Sequence, residues 1–189
     1  MFHTIFLFFD SILIWFYRVP EIPVLGFFLG TTVLAGLSVL VGEATRTLVY
    51  LLNRDYYEGL QDSMVSMHNS SIKAIGMKDK TNYKLCNRQA NEYFGRVFFS
   101  QAALFSCSLW VLPFALAWMH SRFSEIEFPF PGTDFSVGFA FVFIPMFVLV
   151  RILFGKIRPR LPFFRRLDRA MKEAANSGEQ PMSWGDLGK

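Results

Sequence analysis

Five polar or ionisable residues fall within or beside long apolar stretches, where each needs a physical cause: Glu43, Arg46, Gln101, Ser108 and Arg151. Glu43 and Arg46 are spaced i, i+3, so on a helix they can form an ion pair where the chain leaves a membrane. Gln101 and Ser108 are seven apart and would share one face of a continuous helix, with Ser100 and Ser106 nearby. Two roles are open to this set. The side chains can hydrogen-bond neighbouring helices and hold a bundle together, or they can line a hydrated groove open to lipid and cytoplasm. Neither role makes or breaks bonds. The chain shows no nucleophile–His–acid set, no phosphate-binding loop and no paired Asp cluster, so no enzyme activity and no cofactor are expected. Its 3 His residues lack a Cys or carboxylate at ligand spacing, which predicts no metal site. Cys86 lies in a polar segment and Cys107 in an apolar one, a poor pair for a structural disulfide.

The elements that must position these residues are set by where charge is missing. Pro23 to Gly42, Val97 to Ser121 and Phe135 to Val150 contain no Asp, Glu, Lys or Arg. A helix needs roughly 20 apolar residues to cross about 30 Å of hydrocarbon. The first two runs meet that length, and the third does so once Arg151 is included, because its guanidinium can snorkel to the headgroups. We therefore expect transmembrane helices over 23–42, 97–121 and 135–155. Before them, Ile5–Phe9 follows no basic n-region, Asp10 interrupts the apolar stretch, and no small-residue cleavage site follows, so residues 1–18 read as retained.

Charge orients the spans. Arg46, Arg54, Lys73, Lys78, Lys80, Lys84, Arg88 and Arg96 separate the first two, and Lys156, Arg158, Arg160, Arg165, Arg166, Arg169, Lys172 and Lys189 follow the third. The stretch 122–134 holds only Arg122 against Glu125, Glu127 and Asp134. Basic residues accumulate on the cytoplasmic side, so 43–96 and the basic tail 156–189 are expected inside, with the N-terminus and the loop 122–134 outside. In 1–20, His3/Thr4, Asp10/Ser11 and Tyr17/Arg18 recur every seven residues among Phe, Ile, Leu and Trp. That pattern fits an amphipathic helix on the outer interface, broken by Pro20 and Pro23. A fourth span would instead leave Asp10 near mid-membrane.

Within 43–96, Leu52, Tyr56, Leu60, Met64, Met67, Ile72 and Ile75 recur at helical spacing. Gly76 ends the run, Met77 to Lys80 reads as a turn, and Asp79 or Thr81 can cap a second helix carrying Tyr83, Leu85, Ala90, Tyr93 and Phe94. The result is an antiparallel helical hairpin in the cytoplasm, of coiled-coil type. Leu161, Phe164, Leu167 and Met171, flanked by Arg and Lys, predict a basic stretch drawn to anionic lipid, or to ribosomal RNA by the same charge; specific DNA binding is not expected. Ser177 to Lys189 reads as disordered. Gly26 and Gly30, with Gly36 and Gly42 further on, permit close helix approach, and Pro113 and Pro145 can kink the second and third spans.

The fold class is therefore all-α, an integral membrane protein with three transmembrane helices, an N-terminal interfacial helix and a cytoplasmic helical hairpin. This order of parts resembles the YidC/Oxa/Alb membrane-insertase superfamily, and among its members the minimal three-span, archaeal YidC-like type. The likeness runs over residues 1–160 and is densest in Lys80-Thr81-Asn82-Tyr83-Lys84, Asn91-Glu92-Tyr93-Phe94 and Phe98-Phe99-Ser100-Gln101. Gln101 matches the Gln that such proteins often carry early in the second span. Where they usually have a basic residue followed by Pro in the first span, this chain has Val41-Gly42-Glu43-Ala44-Thr45-Arg46. The resemblance implies a nucleotide-independent insertase or chaperone of a plasma (inner) membrane, with lipids and nascent membrane proteins as partners and the ribosome or another complex subunit as further ones. Glu43, Arg46, Gln101, Ser108 and Arg151 would belong to its groove. Met64, Met67 and Met77 would offer adaptable contacts on the hairpin. A structural or assembly subunit of a larger membrane complex is the alternative.

Overall fold

The computed structural model describes residues 2–129, 136–161, 179–183 and 185, with backbone alone for 2–6. It is mostly helical: α1 (Phe2–Arg18), α2 (Pro23–Leu52), α3 (Arg54–Gly76), α4 (Lys80–Ser106), α5 (Val111–Phe123), β1 (Glu127–Pro129), β2 (Ser136–Gly138) and α6 (Phe139–Ile157). A single 3-10 turn, Arg158–Arg160, follows α6. Three stretches, Pro23–Leu52, Lys80–Phe123 and Phe139–Arg160, are helical, long and apolar enough to cross a membrane. The chain divides into two compact units, Met1–Thr45 with Ser108–Arg158, and Arg46–Cys107 with Pro159–Lys189.

In the first unit, α1, the first part of α2, α5 and α6 surround a core of Phe27, Leu34, Ala35, Val39, Ala115, Trp118, Met119, Phe143 and Phe147. The approach that Gly26 and Gly30 allow is taken up by α1. A Cβ on Gly26 would run into the Tyr17 carbonyl, and one on Gly30 into the Tyr17 ring. Tyr17 also reaches Thr31 through its hydroxyl at 3.5 Å and stacks near Phe123, with ring centroids 4.9 Å apart. Burial raises its phenol pKa to about 12, so the hydroxyl stays neutral. The stripe of α1 that carries Asp10 and Tyr17 thus faces protein, while Leu7, Phe8, Phe9, Ile12 and Trp15 are exposed. That is the arrangement an apolar solvent favours.

β1 and β2 form an antiparallel ribbon in which Glu127 pairs with Gly138, Phe128 with Val137 and Pro129 with Ser136. Three residues each are too few for a period-2 signal, so the sequence does not announce them. The ribbon sets Phe128 against Phe27 at a centroid separation of 4.8 Å and closes that end of the core. Residues 130–134 of the expected external loop lie outside the described residues, as do Arg165, Arg166, Arg169 and Lys172 of the basic tail.

Regular α-helix stops at Ser106 and resumes at Val111, upstream of the kink expected at Pro113. Proline explains it. Pro113 cannot donate to the Leu109 carbonyl four residues back, and that oxygen instead accepts the Leu112 N–H at 3.0 Å. Pro145 lies inside α6 and removes one helical donor there.

In the second unit, α3 and α4 pack along one another, joined by Met77–Asp79. The Asp79 N–H reaches the Ala74 carbonyl at 2.9 Å and the Lys78 N–H reaches that of Ile75 at 2.8 Å, with Lys78 in the left-handed region (φ 60°). This is a Schellman C-cap in which Lys holds the position glycine usually takes. Asp79 then caps α4, accepting from the Thr81 and Asn82 N–H groups at 3.1 and 3.0 Å. The hydrogen bonds from Asn82 and Thr81 hold its carboxyl below the usual range. The buried stripe of α3 is Leu60, Val65, Asn69, Ser71, Ile72 and Ala74, rotated from the expected one, with Tyr56 exposed and Met64 and Met67 half-buried.

Candidate functional site

The strongest concentration of buried polar groups in the first unit gathers where α2, the turn after α4 and the end of α6 meet. Gly42 makes the meeting possible, because a Cβ there would collide with the Ser108 carbonyl. Beside it, Thr45 Oγ1 donates to the Val41 carbonyl at 2.9 Å and accepts the Trp110 indole N–H at 3.1 Å. The turn is thereby fastened to α2.

Into this junction α2 presents Glu43, which is 5% exposed. Arg151 Nη2 on α6 donates to Ser108 Oγ at 2.6 Å and to Glu43 Oε1 at 3.4 Å. Two turns on, Arg158 Nη1 donates to Glu43 Oε2 at 3.2 Å. One carboxylate is therefore shared by two guanidiniums and linked through Arg151 to a hydroxyl that is itself 1% exposed. The Arg151 and Arg158 side chains keep 20% and 18% of their surface accessible, so the cluster reaches the edge of the unit. An ion pair in so apolar a setting is costly to assemble and far costlier to break.

Of the five residues the sequence singles out, the structure brings Glu43, Ser108 and Arg151 together. Arg46 and Gln101 belong to the second unit, Arg46 half-buried on α2 and Gln101 exposed on α4. The seven-residue spacing of Gln101 and Ser108 does not define a face, since the helix between them ends at Ser106. Arg158 was missed because it lies beyond the apolar run and counts, in a linear reading, as one more basic tail residue.

A second buried acid was also missed. Asp10 of α1 is 6% exposed and accepts the Trp118 indole N–H at 3.0 Å. Arg122 grips it with two nitrogens, Nε at 2.8 Å to Oδ1 and Nη2 to Oδ2. The Arg122 hydrogen bond, reinforced by Trp118 and opposed by burial, holds the Asp10 carboxyl below its ordinary value. The available signal was the oddity of one acid in an apolar stretch and one Arg in an acidic loop.

In the second unit, Ile75, Lys78, Asp79, Lys80, Tyr83 and Lys84 line an open cavity of about 520 Å³ at the tip of the α3–α4 pair. Met77 stands beside it with 76% of its surface exposed. No cluster of His, Cys, Asp or Glu fit to hold a metal occurs among the described residues. Compared with protein-family models, with curated proteins and with solved structures, the chain gives no match.

Proposed function

We propose that the protein is a membrane-embedded insertase or chaperone for membrane proteins, working through the Glu43–Arg151–Arg158–Ser108 cluster. The observation that carries this reading is a partly accessible, charged cluster built into helices whose outward faces are Phe, Leu, Ile and Val. Charged groups in such a place draw water and headgroups toward them, thinning the apolar barrier locally. A client's short polar flank would cross there at lower cost, and its apolar segment would then partition into lipid, which supplies the driving force. No nucleotide is required. The likeness in order of parts to the YidC/Oxa/Alb superfamily points the same way.

In this reading the three apolar helices span a plasma (inner) membrane with the N-terminus outside and the α3–α4 pair and C-terminus in the cytoplasm. Asp10 supports the interfacial reading of α1, because its partner Arg122 would then lie at the outer end of the second span, near the headgroups. The α3–α4 pair would form the cytoplasmic hairpin that meets the nascent chain, with exposed Met77 a better contact than half-buried Met64 and Met67. The alternative, a structural subunit, draws on the same cluster, whose ion pairs within the unit are also what packing glue would use.

The test is insertion of a small single-span client into liposomes carrying the purified protein. Arg151→Met, which keeps bulk but removes the charge, should bring insertion down to the rate of empty liposomes while the helical content is retained. Wild-type protein no faster than empty liposomes would overturn the proposal. Photocrosslinking from exposed Gln101 in cells separates the alternative: several nascent chains favour the insertase, and a single stable partner favours the subunit.

A further inference from the structure

Asn69 is an unusual residue to find 4% exposed in the middle of a helix, and its side chain bonds outside α3. Its partners come from the C-terminal segment. Asn69 Nδ2 donates to the Gln180 carbonyl at 3.0 Å and to Glu179 Oε2 at 3.2 Å, and Asn69 Oδ1 accepts the Met182 N–H at 2.8 Å. Next to it, His68 Nε2 lies 3.1 Å from the Met182 carbonyl. Three of these four contacts go to main-chain atoms. The carbonyl of one residue and the N–H of the residue two further on point to the same edge of an extended chain. Pro181 between them lacks an N–H, but its N–H would face away from that edge, so nothing is lost.

We infer that Asn69 and His68 form a binding site on α3 for extended, unfolded polypeptide, read through its backbone, and that residues 179–183 occupy it in cis as a removable strap. The strap is shallow: Glu179, Gln180, Pro181 and Ser183 are exposed, whereas the amide beneath them is buried. Lifting it uncovers one donor and one acceptor of the Asn69 amide, which any extended segment can pair again. Backbone reading makes the site tolerant of sequence, as a receptor for varied unfolded segments must be. The inference rests on α3 and the strap and not on the insertase reading, so failed insertion leaves it standing.

Fluorescence anisotropy on the full chain in micelles tests it, with a labelled peptide of the sequence Gly178–Gly185 as probe. Wild type should bind weakly because the tethered strap competes at high effective concentration. Met182→Pro deletes the strap's N–H contact to Asn69 and should tighten peptide binding roughly tenfold or more. Adding Asn69→Ala to that variant should abolish binding; should that protein not fold, His68→Ala at its exposed position should weaken binding severalfold. A second peptide with Ala in place of Glu179, Gln180 and Met182 should bind within about threefold of the first, given backbone reading. Equal affinity for wild type and Met182→Pro, binding that ignores both α3 substitutions, or failure of the Ala peptide would each overturn the proposal.

Discussion

Glu43 in the first unit and Asn69 in the second are about equally buried, at 5% and 4% exposed, and each is held by groups more than 100 positions away in the chain. Their partners differ in kind. Glu43 faces two guanidiniums within an apolar bundle, whereas Asn69 faces the main chain of a surface strap. A neutral amide can be left by its partners and regain them at modest cost. A carboxylate between two cations in an apolar setting has no such freedom, because breaking the set strands charge. The first arrangement suits a permanent feature of a bundle and the second a reversible contact.

The sharpest way to break this contrast is truncation. Glu43→Ala should destabilise the protein by about 3–5 kcal/mol, since it leaves Arg151 and Arg158 without their shared carboxylate. Asn69→Ala should cost only about 1–2 kcal/mol, the price of unpaired polar groups that water can reach once the strap lifts. Denaturant titration in micelles, followed by circular dichroism, measures both. Equal losses would mean that charge and neutral amide are buried on the same terms, and the contrast would fail.

Asp10 is an intermediate case, a buried acid whose partner Arg122 keeps 41% of its side chain exposed. Asp10→Asn should therefore cost about 2 kcal/mol, less than the loss at Glu43 because the freed guanidinium can hydrate. The native pKa of Asp10 is depressed below 3.8. Its contribution is thus fully present above that value and is lost as pH falls through the lower, native one. Wild type should lose stability relative to Asp10→Asn only below about pH 4. A gap between them that narrows already at neutral pH would show that another group controls α1.

How far these contacts could be foreseen depends on chain separation. The three apolar helices, the α3–α4 pair and a cap at Asp79 or Thr81 follow from local composition and periodicity; the helices and the pair are present, and Asp79 is the residue that caps. Glu43 and Arg151 could each be picked out as polar residues beside apolar runs, but no local pattern pairs residues 108 positions apart. The same holds for Asp10 with Arg122, and for Asn69 with a C-terminal segment whose composition reads as disordered. The glycines announced a close approach without naming Tyr17 or the Ser108 carbonyl as what approaches.

That close approach gives a smaller test free of charge effects. Gly42→Ala would force its Cβ onto the Ser108 carbonyl and should cost about 1–3 kcal/mol. Gly36→Ala, with nothing within 4 Å, should be neutral or stabilising by about 0.5–1 kcal/mol through helix propensity. Paired thermal melts decide it, and equal shifts would remove the junction at Gly42 as a packed feature.

The smallest effect is expected at the turn of the second unit, and its sign is opposite. Lys78 adopts φ 60° in a Schellman cap, where a side chain crowds the backbone and glycine does not. Lys78→Gly removes that crowding, worth about 1–2 kcal/mol, against an entropic loss of about 0.5–1 kcal/mol for glycine. The net gain should be below about 1 kcal/mol, visible as a slightly later melt of the α3–α4 pair. Lys78→Val should move the melt the other way, because a β-branched residue is more strained at positive φ. If both variants melt earlier than wild type, the lysine side chain itself holds the turn beside the Asp79 cap. The exposed turn would then share the dependence on a specific charge that otherwise distinguishes the first unit.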